Sequence, residues 1–577
     1  MKYFTYAFII LLLTNALHAQ IQNNFITPFE QSGGLETATY DEVIQYYIAL
    51  AKIYPQISIQ TMGKTDSGKP LHIVTLDPNK TFNFTEIRKN KCILLINNGI
   101  HPGESDGIDA TMMLFRDYVQ GKIKMPKHTV LVTIPIYNIG GSLNRNSTTR
   151  TNQNGPELYG FRGNARNFDL NRDFIKSDTK NAKAFAEIFH SVQPDVFIDN
   201  HVSNGADYQY TLTHLFTQHN KLGGNLGDYL HTKMMPELEQ NLASKSWDIT
   251  PYVNVFNEVP EIGFSQFLDN PRYSTGYTTL FNTLGMMVET HMLKPYKPRV
   301  EGTYELMVSM IELIDKDYKT IKTLRNEANA TFLNARTYNL NWEVDTTNFS
   351  ILQFKGFEGE YITSEVTGLN RLKYDRSKPF TKTIKYQNYF NPTLEITIPK
   401  AYIIPQGWYS VIELLKLNQV KMTQLKTDKT FTVETYHITN FDTKQEPYEG
   451  HYLHSNTSVS TTIEQIQFRT GDYYIETHQP SIRYLLETLE PQAVDSFFNW
   501  NFFDTILQQK EGFSPYVWED LALELLNNDA ELKVQFETKK QNDNDFASNW
   551  YAQLDWLHKQ SENYEKAHLK YPIYRVN

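Results

Sequence analysis

Cys92-Ile93-Leu94-Leu95-Ile96 is a short apolar run with the length and branching of a buried strand, and His101-Pro102-Gly103-Glu104 follows it closely. From Asp106 to Phe115 the apolar residues recur at helical spacing. His101 and Glu104 therefore lie at a strand-to-helix corner, and open α/β sheets usually bind ligands at such corners. An H-x-x-E pair is common, and a polar loop pair is the alternative interpretation. The position at this corner leads us to predict half of a metal site.

The composition of the chain is that of a globular protein, with 40% hydrophobic and 21% charged residues. Its 577 residues exceed one ordinary core, so we expect roughly two to four domains. The formal net charge of -10 opposes nucleic acid or an anionic membrane surface as the main partner.

The first residues have the build of a cleavable secretory signal peptide. Lys2 precedes an apolar run at 8–13, and Ala19 is a suitable small residue before the cleavage point. The run is too short to span a bilayer comfortably, and an N-terminal anchor or core helix is the alternative. A single cysteine, Cys92, excludes an intrachain disulfide. We therefore expect an exported protein, periplasmic or extracellular, with no membrane span after signal cleavage.

Strand and helix patterns alternate along the first half of the chain, which predicts an α/β sandwich. The predicted strands are 57–61, 71–76, 92–96, 129–137 and 195–198. The predicted helices are 39–51 with a cap at Thr39, 105–120, 180–191 and 224–242.

The pattern changes after about residue 320. Residues 331–478 are rich in Thr, Tyr, Ile and Val and predict a mainly β region, with one helix near Tyr409–Leu417. Helical spacing dominates 482–569. The predicted organisation is a signal peptide at 1–19, a catalytic domain at 20–320, a mainly β accessory domain at 331–480 and a mostly α-helical C-terminal region at 481–577.

His201 is the best candidate for a third metal ligand, because it directly follows a run at 194–200 that resembles a buried strand with a polar end. His190 lies in a helical pattern, and His451 and His454 have no third partner. Two histidines and one glutamate with an open fourth position form a catalytic ligand set of zinc, which acidifies its bound water to a pKa of about 7.

A carboxylate must then accept the proton of that water and pass it to the leaving amine. Glu289 ends another short apolar run and offers this group, although a glutamate paired with a surface cation is the alternative. Residues 161–174 form an Asn-rich loop with three arginines, and the guanidinium fork suits carboxylates and developing oxyanions.

Together these motifs resemble the zinc carboxypeptidases of the M14 metallopeptidase family. The resemblance rests on His-Pro-Gly-Glu at 101–104, Asp-Leu-Asn-Arg-Asp-Phe at 169–174, His201 and Glu289, in this order and with similar spacing. It covers about residues 38–315. It implies an α/β/α sandwich with a mixed, roughly eight-stranded sheet, to which the mainly β accessory region and the helical tail are added.

The resemblance also implies a role for each matching residue. His101, Glu104 and His201 would bind one Zn²⁺ per chain, and Asp169 would orient His101 by accepting its other ring N–H. The residues implied to act on the substrate are Asn171 and Arg172 for its terminal carboxylate, Arg162 for the scissile carbonyl (with Arg145 and Arg150 as alternatives) and Glu289 as general base and acid. The family tyrosine that closes over the substrate would be Tyr252, Tyr273 or Tyr277.

We predict an exported zinc-dependent metallocarboxypeptidase that hydrolyses C-terminal peptide bonds of peptides or proteins. The alternative on the same site is a cell-wall stem-peptide (muropeptide) amidase or carboxypeptidase. A non-catalytic peptide-binding protein is a third interpretation, which the intact set of site residues opposes. The accessory regions would bind substrate, glycan or a partner, or would only support the catalytic domain.

Overall fold

A central sheet organises the first half of the chain. The computed structural model describes residues 25–577, so the predicted signal peptide at 1–19 lies outside the described residues. The sheet has eight strands in the order β1-β2-β4-β3-β5-β9-β6-β7. These strands are β1 Ile57–Lys64, β2 Pro70–Leu76, β3 Cys92–Asn97, β4 Thr129–Ile134, β5 Val196–Ser203, β6 Leu212–Phe216, β7 Ile249–Pro251 and β9 Leu284–His291.

The sheet is mixed. Strands β4, β3, β5 and β9 run parallel, whereas β6 pairs antiparallel with β9 and β2 pairs antiparallel with both β1 and β4. Every residue of β3, β4 and β5 is buried, as expected for central parallel strands that are covered on both faces. The predicted α/β/α sandwich with an eight-stranded mixed sheet is confirmed.

Helices cover this sheet. Thr39 begins the helix α2 as predicted, because its side chain and that of Glu42 form a reciprocal capping box. The helices are α1 Pro28–Gln31, α2 Tyr40–Ile53, α3 Phe84–Asn90, α4 Asp106–Val119, α5 Ile139–Leu143, α6 Lys180–Val192, α7 His219–Leu222, α8 Gly224–Tyr229, α9 Met235–Ser244, α10 Ser274–Thr279 and α11 Tyr296–Leu333.

Several predicted boundaries differ from the structure. Strand β5 continues to Ser203, so His201 lies within the strand instead of after it, because residues 199–203 keep pairing with β9. Strand β4 ends at Ile134, three residues before the predicted end, and a π-helical turn at Leu230–Met234 interrupts the helix predicted at 224–242. Helix α11 extends to Leu333, beyond the change of pattern near residue 320.

The region after α11 is mainly β, as predicted. Its principal sheet has six strands in the order β15-β18-β14-β19-β16-β17. Two smaller sheets have the strand orders β10-β13 and β11-β12-β8, and in the second of these β12 pairs with β8, which precedes α11 in the chain. The strands are β8 Phe264–Ser265, β10 Thr337–Val344, β11 Ser350–Thr363, β12 Asn370–Gln387, β13 Phe390–Thr397, β14 Ala401–Ile404, β15 Thr423–Gln424, β16 Lys429–Thr443, β17 His454–Phe468, β18 Tyr473–Glu476 and β19 Tyr574–Val576.

The predicted helix at Tyr409–Leu417 (α12) is confirmed, and helices also fill most of the tail. The tail helices are α13 Ile482–Leu489, α14 Pro515–Asn528, α15 Ala530–Asn542, α16 Asn544–Ser548 and α17 Trp550–Lys559. Among residues 25–577, no helix is both long enough and apolar enough to cross a membrane.

Arg483 of α13 joins the C-terminal region to the first half of the chain. One hydrophobic cluster contains residues from Phe25 to Ile573 and therefore includes both halves of the chain. The Arg483 side chain is fully buried. It donates to the carbonyl of Lys221 at 2.7 Å and to the side chain of Asn282 at 2.8 Å. The two halves are therefore packed together through buried polar groups as well as through apolar contact.

We expect Arg483→Met to lower the free energy of unfolding by at least about 2 kcal/mol, because it leaves the Lys221 carbonyl and the Asn282 side chain buried without a donor. Arg371→Met, at an exposed position of β12, is the matched control. Denaturant unfolding of both variants tests this, and equal midpoints would contradict the role of Arg483.

Candidate metal centre and active site

Three predicted metal ligands converge at the carboxyl ends of two adjacent parallel strands. Strands β3 and β5 pair in parallel, so the corner after β3 and the end of β5 meet at one edge of the sheet. His101 and Glu104 lie at that corner and His201 lies near the end of β5; all three side chains are buried. One ligand atom from each lies within 4.8 Å of the others. The Glu104 Oε2 atom is 3.2 Å from the Nδ1 atoms of both histidines.

Each imidazole turns its other nitrogen toward a carboxylate. The Nε2 atom of His101 is 2.9 Å from Asp169 Oδ1, and the Nε2 atom of His201 is 3.0 Å from Asp199 Oδ2. Carboxylates at this position fix the tautomer and the ring orientation of a ligating histidine. Both Nδ1 atoms are thereby left to face a common point, and two imidazoles with one carboxylate form a donor set that fits zinc.

Asp199 was missed by the reasoning from sequence, and a signal for it was present. Side chains two residues apart on a strand lie on the same face, so Asp199 and His201 share one face of β5. Asn97 of β3 donates to the other oxygen of Asp199 at 3.0 Å. Asn97 therefore holds one oxygen of Asp199, and the other oxygen lies beside the His201 ring.

The charges of the site shift the ionisation of its members. Burial disfavours the charge on Glu104, but His101 and Arg150 more than offset this and hold the pKa of Glu104 well below its usual range. Burial likewise disfavours charge on His201, yet Asp199 and Glu104 raise the pKa of this imidazole well above its usual value.

The other oxygen of Glu104 faces two arginines. Its Oε1 atom is 3.0 Å from Arg150 and 3.4 Å from Arg162. A Cβ atom on residue 103 would lie 2.5 Å from the Cδ atom of Arg150, so Gly103 allows this arginine to reach Glu104. The glycine of His-Pro-Gly-Glu thus has a packing reason that the sequence alone did not reveal.

Asn171 and Arg172 lie beside this centre in a short 3₁₀ turn at Leu170–Arg172. The Oδ1 atom of Asn171 accepts from the backbone N–H of Ser274 at 3.2 Å, which leaves its Nδ2 free to donate. The guanidinium of Arg172 stacks on the ring of Tyr273, 4.5 Å from the centroid. Two donors for an anion therefore lie side by side.

One cavity of about 310 Å³ joins the predicted ligands to the residues predicted to act on the substrate. It is lined by the three ligands, by Glu289 and by Arg150, Arg162, Asn171, Arg172, Tyr252 and Tyr273, together with apolar residues that include Leu215, Phe267 and Met287. The Tyr277 side chain is buried away from it, and its hydroxyl donates to Asn418 at 2.6 Å. Arg145 instead donates to the carbonyls of Thr37, Ala38 and Leu158.

Glu289 lies opposite His201 in the paired strands β5 and β9 and faces the cavity. Burial is the main influence on this carboxyl and raises its pKa to about 7, with His201 opposing the shift and Glu104 adding to it. A carboxylate with such a pKa can both accept and return a proton near neutrality.

A family model described as zinc carboxypeptidase matches residues 43–203, which include the three ligands and the loop of Asn171 and Arg172. The chain carries a zinc carboxypeptidase domain. The predicted family, fold class and enzyme class are confirmed. The family is zinc-dependent, and membership implies peptide substrates with a C-terminus.

Curated proteins that are similar to this chain match it over a longer range. Carboxypeptidase 2 of Trichophyton rubrum is 22% identical over 499 residues, which cover 81% of this chain and 84% of the relative. Carboxypeptidase 2 of Trichophyton tonsurans is 22% identical over 465 residues, or 75% and 78%. A solved metallo-carboxypeptidase from Burkholderia cenocepacia has a TM-score of 0.37 and 17% identity, covering 49% of this chain and 70% of its own.

We expect Asp199→Asn to lower the zinc affinity about 10- to 100-fold, as found for partners that orient ligating histidines. The reason is that the neutral amide no longer supports the basicity of His201. Asp228→Asn on the exposed surface of α8 is the control. Competition with a chelating indicator measures the affinity, and an unchanged value for Asp199→Asn would contradict this role.

Proposed function

We propose that this protein is an exported carboxypeptidase that binds one zinc ion per chain and hydrolyses the C-terminal peptide bond of peptides or proteins. The observation that carries the proposal is the single cavity that holds His101, Glu104 and His201 together with Glu289 and the arginine-rich loop. Export rests on the signal-like sequence at 1–19 and on the single cysteine.

His101, Glu104 and His201 would hold the zinc ion through Nδ1, Oε2 and Nδ1. A bound zinc ion supplies Lewis acidity, which acidifies water and polarises a carbonyl oxygen. Asp169 and Asp199 lie beside the two rings, and Arg150 and Arg162 contact the Oε1 atom of Glu104, its outer oxygen. These contacts favour binding of the metal ion by the Oε2 atom alone, the inner oxygen.

Arg172 and Asn171 would bind the terminal carboxylate of the substrate. Arginine is fully charged and presents a planar fork, and the free Nδ2 of Asn171 adds a neutral donor. We call Arg172 and Asn171 the carboxylate anchor. This anchor supports an exopeptidase, because a peptide chain that continues past the residue to be removed has no terminal carboxylate for Arg172 and Asn171 to bind. Tyr273, stacked on Arg172 and lining the cavity, is the stronger of the two remaining candidates for the residue that closes over the substrate.

Glu289 would move the proton in the reaction. It accepts a proton as water oxygen adds to the carbonyl carbon, and Arg162 donates hydrogen bonds to the oxygen that becomes negative. Glu289 then returns the proton to the leaving nitrogen as the C–N bond breaks. The products are a free amino acid and a peptide shortened by one residue.

Glu289→Gln should lower kcat about 10²- to 10⁴-fold, because the amide cannot accept the proton. Zinc content should stay at one ion per chain, since Glu289 is not in the ligand set. Glu301→Gln on the exposed face of α11 is the control. Hydrolysis of a peptide library and zinc analysis of both variants test this, and a fully active Glu289→Gln enzyme would exclude the assigned role.

Amidation of the peptide C-terminus should abolish cleavage by the wild-type enzyme, because the anchor then lacks its anionic partner. Arg172→Met should raise KM for the free acid about 10- to 100-fold, the value of one charge-assisted contact. Cleavage of free acid and amide at the same rate would contradict the exopeptidase proposal. Hydrolysis of purified muropeptides, but not of ordinary peptides, would favour the cell-wall alternative, which stays a prediction.

A further inference from the structure

The loop between β16 and β17 in the accessory region extends as a hairpin to the active site. The backbone of Lys444 bonds to Leu453, and a tight turn closes the hairpin by mutual bonds between Tyr448 and His451. Both central residues of the turn have positive φ, +49° for Glu449 and +80° for Gly450, as a type I′ turn requires. We call residues 448–451 the hairpin turn.

The hairpin turn contacts the loop that carries the site residues. The Oε2 atom of Glu449 accepts from the backbone N–H of Asp169 at 2.8 Å. Gly450 packs on the ring of Phe168, and the Nε2 atom of His451 is 2.7 Å from Asp178. These contacts join segments about 280 residues apart in the chain.

Asp169 has no freedom to move without disturbing its neighbours. Its side chain holds the His101 ring through Oδ1 and the Arg162 guanidinium through Oδ2, at 2.9 and 2.8 Å. The bond from Glu449 fixes the backbone at the same residue. A shift of Asp169 would therefore displace a zinc ligand and the arginine at the scissile carbonyl together.

The same turn also contacts the segment next to Tyr273. The guanidinium of Arg272 lies over the ring of Tyr448, 5.7 Å from the centroid, and Arg272 is bound to Asp495 at 2.8 Å. A second segment of the C-terminal region thus supports the residue adjacent to Tyr273.

The choice of glutamate at 449 needs a reason, because a turn of this type favours Asn, Asp or Gly at both central positions. A glutamate at φ +49° is a strained residue, and strain of this kind gathers at functional sites. Asparagine would suit the turn better, but its shorter side chain would not reach Asp169.

We propose that the hairpin turn of the accessory region is a positioning element of the active site, in which Glu449 holds Asp169. The accessory region then completes the geometry of the zinc centre. The inference rests on the proposed function for its effect on peptides, but its effect on metal binding stands apart from it.

Zinc binding to the metal-free full chain tests the role of Glu449. Glu449→Asn should lower zinc affinity about tenfold, without lowering the unfolding midpoint, because asparagine relieves the strain of the turn. Glu449→Gln keeps an oxygen that can accept from Asp169 and should bind zinc as the wild type does. Glu446→Asn and Glu446→Gln, at an exposed position of the same loop, are the matched controls.

Wild-type zinc affinity in Glu449→Asn would overturn the proposal. A loss that is equal in Glu449→Gln, or that comes with a lower unfolding midpoint, would also overturn it, since the hydrogen bond would then not be the cause. These measurements use zinc alone, so they decide the inference even if the protein hydrolyses no peptide and the proposed function fails.

Discussion

The buried carboxylate of Glu104 is the group on which the arrangement of the site depends. A buried charge without partners costs several kcal/mol, so the surrounding groups must compensate for it. Two imidazoles and the backbone N–H of Val202 face its inner oxygen, and two arginines face its outer oxygen. The parallel pairing of β3 with β5 brings these groups to one point, and Gly103 leaves space for one of the arginines.

Support for this centre extends outward in successive contacts. Asp169 and Asp199 hold the histidine rings, Asn97 holds Asp199, and Glu449 of the accessory region holds Asp169. A catalytic group must lie within a fraction of an ångström of its productive position, so the residues that hold the ligands matter nearly as much as the ligands themselves. Through Glu449, the accessory region is one of the parts of the chain that hold the site in place.

Local signals in the sequence predicted much of this arrangement. The apolar run at 92–96 and the capping residue Thr39 are short-range patterns, and the strand β3 and the helix α2 follow from them. The meeting of His101 and Glu104 with His201 was predicted because each was assigned to the carboxyl end of a strand. Asp199 was within reach of the same reasoning through the alternation of β5. The contacts of Arg150 with Glu104 and of Glu449 with Asp169 were not, because they join distant segments and depend on backbone packing that no local pattern encodes.

Strand β19 gives the accessory sheet an unusual mechanical connection. The strand has three residues, Tyr574–Val576, and it lies between β14 and β16, pairing with both. The hairpin of β16 and β17 therefore joins the rest of its sheet through this short strand. The position of the hairpin turn against Asp169 therefore depends in part on three residues that lie far from every zinc ligand in the sequence.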